Sequence, residues 1–394
     1  MMKPFCVLPF VQFSTTVSGD YQACCIAKQQ QENIIDMSPL EFFNSKHMKQ
    51  LRYDMLQKNI SPLIKDTCYK CIINEKNTGN SKRLQNLYTT RDDKVDVLKQ
   101  STLKNISENK DVDLTPTDMD SFKIKIFGNL CNLKCTMCNP NASSKIAAEF
   151  KRYGEWNKPA IINPSKHMNM NKFLDDLKIV LPTTNQIEIV GGEPFLYPET
   201  FDLVNWIVEN DLAKNLEIRF VTNGMTENFD LFSLFKYFKQ VTVMFSVDGF
   251  GKKDEYIRTG TNWEEKVMLM KNVAQIPKVK MSFSTTTQLL NIGYLDEIHD
   301  FITKTFGITP RLNNGLSFPN WARAVNVPKE IANKCLKRYE SKQFNNKPYH
   351  IKTLSNDKER QHHLFEYAIK RYKQFDERRN TNLLDVYPEF EAYY

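Results

Sequence analysis

The sequence predicts an α/β protein, in which a TIM-like, partial (β/α)6 barrel is preceded by a small cysteine-rich metal-binding module and followed by a helical C-terminal region. Two observations lead to this expectation. From about residue 121, short β-rich runs alternate with amphipathic helical patterns, which is typical of βαβ units and a parallel sheet. The chain also has nine cysteines, and eight of them fall in two stretches, residues 6–71 and 131–138, a pattern that indicates metal binding by thiolates.

Length and composition fit a folded protein of two or three domains. Of the 394 residues, 41% are hydrophobic and 25% are charged, which excludes a mainly disordered chain. No apolar run approaches the ~20 residues that span a bilayer. Pro4, Pro9 and Gln12 interrupt the apolar N-terminal run, and no signal-peptide cleavage site follows it. We therefore expect a cytoplasmic protein with no membrane partner and no disulfide framework.

The expected domains follow the same patterns. They are the cysteine-rich module over 1–100, a polar linker over 101–120, the barrel over 121–318 and the helical region over 319–394. The barrel strands are predicted at 122–127, 186–190, 217–221, 241–247, 280–286 and 308–313. Helical patterns lie between them at 201–210, 228–238, 262–273 and 294–306. Six strands are too few for a closed eight-stranded barrel, so we expect an open one.

The first predicted barrel strand leads into three cysteines, Cys131, Cys135 and Cys138, with the spacing C-x3-C-x2-C. Thiolates are soft ligands that suit zinc or iron–sulfur clusters. A structural zinc site closes its shell with a fourth side chain, whereas a three-cysteine [4Fe–4S] cluster keeps one iron open for substrate chemistry. The position also fits, because functional groups of β/α barrels gather at the C-terminal ends of the strands.

This loop resembles the radical S-adenosylmethionine (radical SAM) superfamily, whose hallmark is the same C-x3-C-x2-C spacing after the first strand of a partial barrel. The resemblance extends over roughly 120–315. It includes GGEP at Gly191–Pro194, TNG at Thr222–Gly224 and SVDG at Ser246–Gly249, each at the end of a successive predicted strand. Each motif alone would also suit an ordinary turn, and their order behind the three cysteines carries the resemblance.

The resemblance implies roles for these residues. Cys131, Cys135 and Cys138 would hold a [4Fe–4S] cluster, and S-adenosylmethionine (SAM) would chelate its open iron. The GGEP residues Gly191, Gly192, Glu193 and Pro194 would bind the amino group of SAM. Contacts with its ribose and carboxylate would come from Asn223, Ser246, Asp248 and Arg258. Met137 stands where the family usually has an aromatic residue, and its polarizable sulfur can lie against adenine.

The family resemblance also implies the activity. An electron from the reduced cluster, supplied by a reductant such as flavodoxin or ferredoxin, would cleave SAM to methionine and a 5′-deoxyadenosyl radical. That radical would abstract hydrogen from a substrate. The protein would position the reactants and exclude water, while the cofactor supplies the difficult chemistry.

The N-terminal cysteines form a second pattern, Cys6-x12-Gly19-x4-Cys24 followed by Cys68-x2-Cys71. It resembles the SPASM/twitch modules, which carry auxiliary [4Fe–4S] clusters in radical SAM enzymes that modify peptides. Those modules normally follow the barrel, whereas this one precedes it. Cys6, Cys24, Cys68 and Cys71 would be the four ligands, although Cys25 adjoins Cys24 and only the spacing favours Cys24. A structural zinc site is the alternative.

The resemblance favours a peptide or protein substrate. RNA modification is a second expectation, because the stretch 334–373 contains eleven Lys and Arg residues against four Asp and Glu residues. A non-catalytic, zinc-stabilised binding protein is a third. Within the basic stretch an apolar helical face is predicted, formed by Leu364, Tyr367, Ala368 and Tyr372. Packing explains such a face better than RNA contact does, so nucleic acid is not favoured as a partner.

Overall fold

The computed structural model describes residues 4–78, 81–89, 100–115, 119–159, 161 and 163–394. The strands are β1 (Gln12–Thr15), β2 (Tyr21–Gln22), β3 (Ser121–Ile124), β4 (Lys134–Cys135), β5 (Gln186–Ile189), β6 (Glu217–Thr222), β7 (Gln240–Ser246), β8 (Arg258–Thr259), β9 (Val279–Thr287) and β10 (Arg311–Gly315). Each of the six barrel strands predicted from the sequence overlaps one of these, namely β3, β5, β6, β7, β9 or β10.

The helices, in chain order, are α1 (Leu8–Val11), α2 (Pro39–Phe43), α3 (Lys46–Met55), α4 (Pro62–Thr67), α5 (Tyr69–Thr78), α6 (Lys82–Thr89), α7 (Gln100–Glu108), α8 (Ser144–Arg152), α9 (Met170–Val180), α10 (Pro198–Glu209), α11 (Phe229–Ser233), α12 (Lys252–Ile257), α13 (Trp263–Ala274), α14 (Leu295–Phe306), α15 (Lys329–Glu340), α16 (Lys347–Leu354) and α17 (His362–Arg379). Within the described ranges, no helix combines the length and the apolarity needed to cross a bilayer.

The strands of the described residues lie in an eight-stranded sheet, in the order β10-β9-β7-β6-β5-β3-β1-β2, and β4 and β8 form a separate antiparallel ribbon. The pairs β1–β3, β3–β5, β5–β6 and β9–β10 are parallel, whereas β1–β2 is antiparallel. The predicted α/β class is confirmed, and the alternation of strands and helices is consistent with a partial barrel.

Strands β1 and β2 were not predicted from the sequence. Gln12 of β1 pairs with Ser121 of β3, and the ring of Phe13 stacks on that of Phe122 with 5.5 Å between the centroids. The N-terminal cysteine-rich segment therefore contributes a strand to the same sheet as the predicted barrel strand β3. The parallel partner of β1 lies 109 positions away in the sequence, so the local pattern around Gln12 gives no sign of this pairing.

Part of the stretch 101–120, which the sequence predicts as a linker, is helical and packed in the residues that the structure describes. Helix α7 occupies most of its first half, and Ile106 and Leu114 are buried. The side chain of Asn44 accepts a hydrogen bond from the Leu114 N–H (3.0 Å) and donates one to its carbonyl (2.9 Å). A few apolar side chains are thus enough to pack this polar segment. Residues 116–118 lie outside the described residues.

The chain divides into two compact units that do not follow the expected domain boundaries. The first consists of Met1–Asn129, Ala160–Phe220 and Asp230–Val241, and the second of Leu130–Pro159, Val221–Phe229 and Thr242–Tyr394. In the first unit, α2 packs an aromatic side chain on the N-terminal strands, where the rings of Tyr21 and Phe42 stack at 4.2 Å. Each unit combines segments that are distant along the chain, whereas the boundaries expected from the sequence follow chain order.

The helical C-terminal region belongs to the second unit. Helix α17 buries one face, formed by Phe365, Ala368, Ile369, Tyr372 and Phe375. The predicted face is therefore correct for Ala368 and Tyr372, whereas Tyr367 is 49% exposed. The buried set follows the i, i+3, i+4, i+7 spacing from residue 365, one position away from the predicted start at residue 364.

Candidate cofactor-binding sites

The three cysteines of the C-x3-C-x2-C motif lie on one loop of the second unit. Cys131 and Cys135 are each 8% exposed, and both pack around Leu133 with the half-buried Cys138 beside them. The Cys131 N–H donates to the hydroxyl of Ser144 at the start of α8 (3.1 Å), and the Cys138 N–H donates to the carbonyl of Cys135 (3.1 Å). The loop therefore folds back on itself and gathers the three thiols.

The middle cysteine belongs to the β4–β8 ribbon, in which Lys134 pairs with Thr259 and Cys135 pairs with Arg258. This pairing brings the Arg258 Nη1 atom to 3.8 Å from the Cys135 sulfur. Burial raises the pKa of the Cys135 thiol to about 11, against the opposing effect of the Arg258 charge. The ribbon thus joins the cysteine loop to the arginine that the sequence predicted as a SAM contact.

Arg258 and Asp248 were both predicted to contact SAM, and the structure joins them in an ion pair. The Arg258 Nη2 atom is 2.7 Å from Asp248, and the two side chains are 10% and 0% exposed. Asp248 also accepts a hydrogen bond from the Thr286 N–H at 2.6 Å. Burial raises the pKa of Asp248 although the Arg258 charge opposes that rise. The two residues thus form one fixed polar group beside Cys135.

A buried ion pair holds the SVDG turn. The Lys266 ammonium is 2.6 Å from Asp254 and donates to the Ser246 carbonyl at 2.9 Å. The Asp254 carboxylate in turn accepts from the N–H groups of Asp248 (2.8 Å) and Gly249 (3.2 Å). A Cβ atom on Gly249 would lie 2.4 Å from the Asp254 nitrogen, so this close approach requires glycine.

The sequence analysis did not identify Lys266 and Asp254. The side chains of both are completely buried, and burial lowers the pKa of Lys266 although the Asp254 charge opposes this. A signal was present, because Lys266 lies in line with the buried Leu269, Met270 and Val273 on the apolar face of α13. A lysine on the buried face of a helix needs a partner, and that requirement could have revealed the pair.

The TNG motif brings Asn223 to the cysteine loop. Its side-chain amide is 2.7 Å from the Asn132 side-chain oxygen and 3.9 Å from the Cys131 sulfur, while its oxygen accepts from the Met225 N–H at 2.9 Å. Met137 and Met225 pack against the same cysteines. Of the predicted SAM contacts, Met137, Asn223, Ser246, Asp248 and Arg258 are thus all tied to this loop or to the turn held by Lys266.

The GGEP motif follows β5 in the first unit. Glu193 is completely buried, and its carboxylate accepts from the Phe195 N–H (3.2 Å) at the start of a short 3-10 turn, Pro194–Leu196. A Cβ atom on Gly191 would lie 3.3 Å from the Gly128 carbonyl oxygen, closer than most side chains tolerate. The adjoining Gly192 is half-buried. The backbone is therefore closely packed at Gly191.

The four predicted N-terminal ligands also meet in the first unit. One cavity is lined by Cys6, Cys24, Cys68 and Cys71, together with Lys82 and Arg83. Burial raises the pKa of each thiol, to about 12 for Cys24 and for Cys68. Cys25, the alternative to Cys24, is half-buried and does not line this cavity.

Arg83 connects the segment that carries Cys6 with helix α5, which carries Cys71. Its Nη1 atom donates to the Phe5 carbonyl (3.1 Å), next to Cys6, and its Nε atom donates to Glu75 of α5 (2.9 Å). The side chains of this Arg83–Glu75 ion pair are 9% and 8% exposed. A buried, multiply bonded guanidinium of this kind fixes the positions of the groups that it bridges.

The thiols fit iron–sulfur clusters, because such clusters are held by cysteine thiolates. One loop offers three thiols and one cavity offers four. Among the described residues, no three His, Cys, Asp or Glu side chains converge closely enough to hold a single metal ion. Because a cysteine binds metal as the thiolate, any thiol that becomes a ligand would release its proton on loading.

Comparisons with known proteins identify one family model and several solved structures. Residues 125–302 match the model of the radical SAM superfamily. Among solved structures, "Native anSMEcpe with bound AdoMet" is 18% identical, with a TM-score of 0.40 over 55% of this chain and 59% of that chain. The same protein with a Kp18Cys peptide is 19% identical (TM-score 0.39, 55% and 58%). Streptococcus suis SuiB bound to S-adenosylmethionine is 13% identical (TM-score 0.37, 84% and 68%).

The match spans less than two thirds of the two anSMEcpe chains. No curated protein matches the sequence.

Proposed function

We propose that this chain, which carries a radical SAM domain over residues 125–302, is an oxidoreductase that cleaves SAM reductively and removes hydrogen from a peptide or protein substrate. The observation that carries the proposal is the loop of three thiols, two of them buried, with Arg258 beside Cys135 and Asn223 beside Cys131. When bound, the [4Fe–4S] cluster and SAM supply a carbon-centred radical, and a donor such as flavodoxin or ferredoxin supplies the electron.

The protein's own residues bind and shield these groups. Cys131, Cys135 and Cys138 would hold the cluster. The Arg258 guanidinium keeps a positive charge near the Cys135 sulfur, which favours the thiolate over the thiol. Asp248, bound to Arg258, fixes the direction of that charge. Gly191 and Gly192 present backbone that the amino group of SAM would contact.

For the N-terminal cysteines, we infer an auxiliary [4Fe–4S] cluster held by Cys6, Cys24, Cys68 and Cys71. Their shared cavity supports this ligand set and favours Cys24 over Cys25. Four ligands leave no open iron, so this cluster would transfer electrons or support structure rather than bind SAM. Zinc is the competing occupant, and metal analysis separates the two.

The substrate class rests on the sequence resemblance to SPASM/twitch modules of peptide-modifying enzymes. The competing RNA substrate was motivated by the basic stretch 334–373. In the structure, several of these charges are already neutralised by ion pairs. Arg338 lies 2.9 Å from Asp296, and Arg371 lies 2.8 Å from Glu155. Fewer cations are therefore available for phosphates than the sequence count suggests.

The test is anaerobic reconstitution followed by metal analysis. The wild-type protein should hold about eight irons per chain, as two [4Fe–4S] clusters, and should convert SAM to 5′-deoxyadenosine. The combined change of Cys131, Cys135 and Cys138 to Ala should remove about half of the iron and all SAM cleavage. Cys335→Ala, at a cysteine of the C-terminal region, should change neither. SAM cleavage that survives in the triple variant would contradict the proposal.

A further inference from the structure

The end of helix α17 reaches the β4–β8 ribbon through one arginine. The Arg379 side chain is 1% exposed, and its Nη1 atom donates to the Lys134 carbonyl (2.9 Å) and to the Thr259 hydroxyl (3.2 Å). Lys134 and Thr259 are cross-strand partners in the ribbon. One guanidinium group therefore holds both strands, each at the residue adjoining a predicted site residue.

The same guanidinium is fixed from its other side by Glu149 of α8. Its Nε and Nη2 atoms donate to the two carboxylate oxygens at 3.0 and 2.7 Å, and the Glu149 side chain is 6% exposed. Burial alone would raise the pKa of Glu149, but the hydrogen bonds from Arg379 keep it below its usual value. A bidentate pair of this kind allows one orientation of the guanidinium plane.

We propose that Arg379 is a positioning residue for the three-cysteine cluster. Through the Lys134 carbonyl it fixes the peptide plane that leads into Cys135, and through Thr259 it fixes the strand that carries Arg258. The inference rests on the proposed function, since it assigns a cluster to Cys131, Cys135 and Cys138. Without Arg379, the Lys134 carbonyl would lose one hydrogen-bond donor and the buried Glu149 carboxylate would lose two, leaving it only the Lys134 ammonium at 3.7 Å. The ribbon would then shift to find other donors.

Arg378, the preceding residue, provides a matched control. Its side chain is 9% exposed, forms an ion pair with Glu155 and lies 4.1 Å from the centre of the Tyr153 ring. Arg378→Gln therefore removes a buried arginine from the same turn of α17. Arg378 pairs with Glu155, which follows the end of α8 in the chain, and not with a residue of the ribbon.

Two measurements compare Arg379→Gln, Arg379→Lys and Arg378→Gln in the full chain. The first is amide hydrogen exchange without metal at Thr136, whose N–H donates to the Ile257 carbonyl at 2.8 Å. The second is the rate at which a chelator removes the SAM-responsive cluster, followed by electron paramagnetic resonance. In Arg379→Gln both rates should rise about tenfold over the control, the lower end of the loss in metal affinity that follows removal of a hydrogen-bond partner that orients a metal ligand. Arg379→Lys should recover part of the loss, because lysine keeps the charge but not the fork.

Equal rates in Arg379→Gln and Arg378→Gln would overturn the inference. So would faster exchange at Thr136 with unchanged cluster loss, because the ribbon would then not govern the cluster. A wild-type spectrum that does not respond to SAM would instead overturn the proposed function. The exchange rates are measured without metal, so they would still decide whether Arg379 holds the ribbon.

Discussion

The two cysteine groups are supported by similar devices but are spread very differently along the chain. At each group, the arginine of a buried Arg–Glu pair donates a hydrogen bond to the carbonyl of the residue that precedes a cysteine. Arg83 donates to Phe5 before Cys6, and Arg379 donates to Lys134 before Cys135. The three-cysteine loop, however, spans residues 131–138, whereas the N-terminal four span residues 6–71.

Because of this difference, we expect the protein alone to hold the three-cysteine loop in place, whereas the N-terminal four depend partly on their metal. Linking residues within one short loop restrains little chain, because the loop is already closed by its own hydrogen bonds. Linking three distant segments removes much more freedom from the unfolded chain. We therefore expect the first unit, which holds the four N-terminal cysteines, to depend on metal for its stability, and the second unit to depend on its buried ion pairs.

The largest expected effect is that of Lys266→Met. The change leaves the Asp254 carboxylate buried without its cation and should lower the free energy of unfolding by about 3–5 kcal/mol. SAM affinity should fall as well, because Asp254 holds the turn at Asp248. The measurement is denaturant unfolding of the metal-free protein, together with SAM titration of the reconstituted protein.

Lys252→Met is the matched control for Lys266→Met. Lys252 also pairs with a carboxylate, Glu255, but its side chain is 83% exposed. An exposed pair contributes little, so this variant should unfold like the wild type. If Lys266→Met also unfolded like the wild type, the second unit would not depend on its buried ion pair.

A smaller effect is expected from the loss of one N-terminal ligand. In the reconstituted protein, Cys6→Ala should lower the free energy of unfolding by about 3 kcal/mol, the size expected for opening the loop that runs to Cys24. Cys138→Ala removes a ligand from the short loop and should cost clearly less. Anaerobic thermal unfolding of both variants makes the comparison. Equal losses would show that ligand spacing does not set the dependence on metal.

The smallest effect concerns Cys25. Because Cys24 lines the cavity and Cys25 does not, Cys25→Ala should keep its iron and its melting temperature. Cys24→Ala should lose about half of the iron, by the ligand count of the two clusters. Iron analysis after reconstitution separates the two variants. Retention of iron in Cys24→Ala with loss in Cys25→Ala would reverse the assignment of the ligand.

The sequence predicted the features that depend on neighbouring residues. The barrel strands show clear periodicity, and the ligands of the three-cysteine loop lie within eight consecutive residues. It did not reveal Lys266 or Arg379, because a charged residue in a helix normally faces solvent. Their burial depends on partners elsewhere, and Glu149 lies 230 positions from Arg379. Strand β1 was missed for a similar reason, since its partner β3 is distant in sequence.

The pairing of β1 with β3 has a consequence for synthesis on the ribosome. Gln12 and Ser121 are separated by 109 positions, so β1 leaves the exit tunnel long before its parallel partner exists. At ~5–20 residues per second, translation needs on the order of 5–20 s to supply that partner. During this interval the nascent chain presents an unpaired strand edge, between Cys6 and Cys24 in sequence. Capture by a chaperone at this stage would protect the edge from intermolecular pairing.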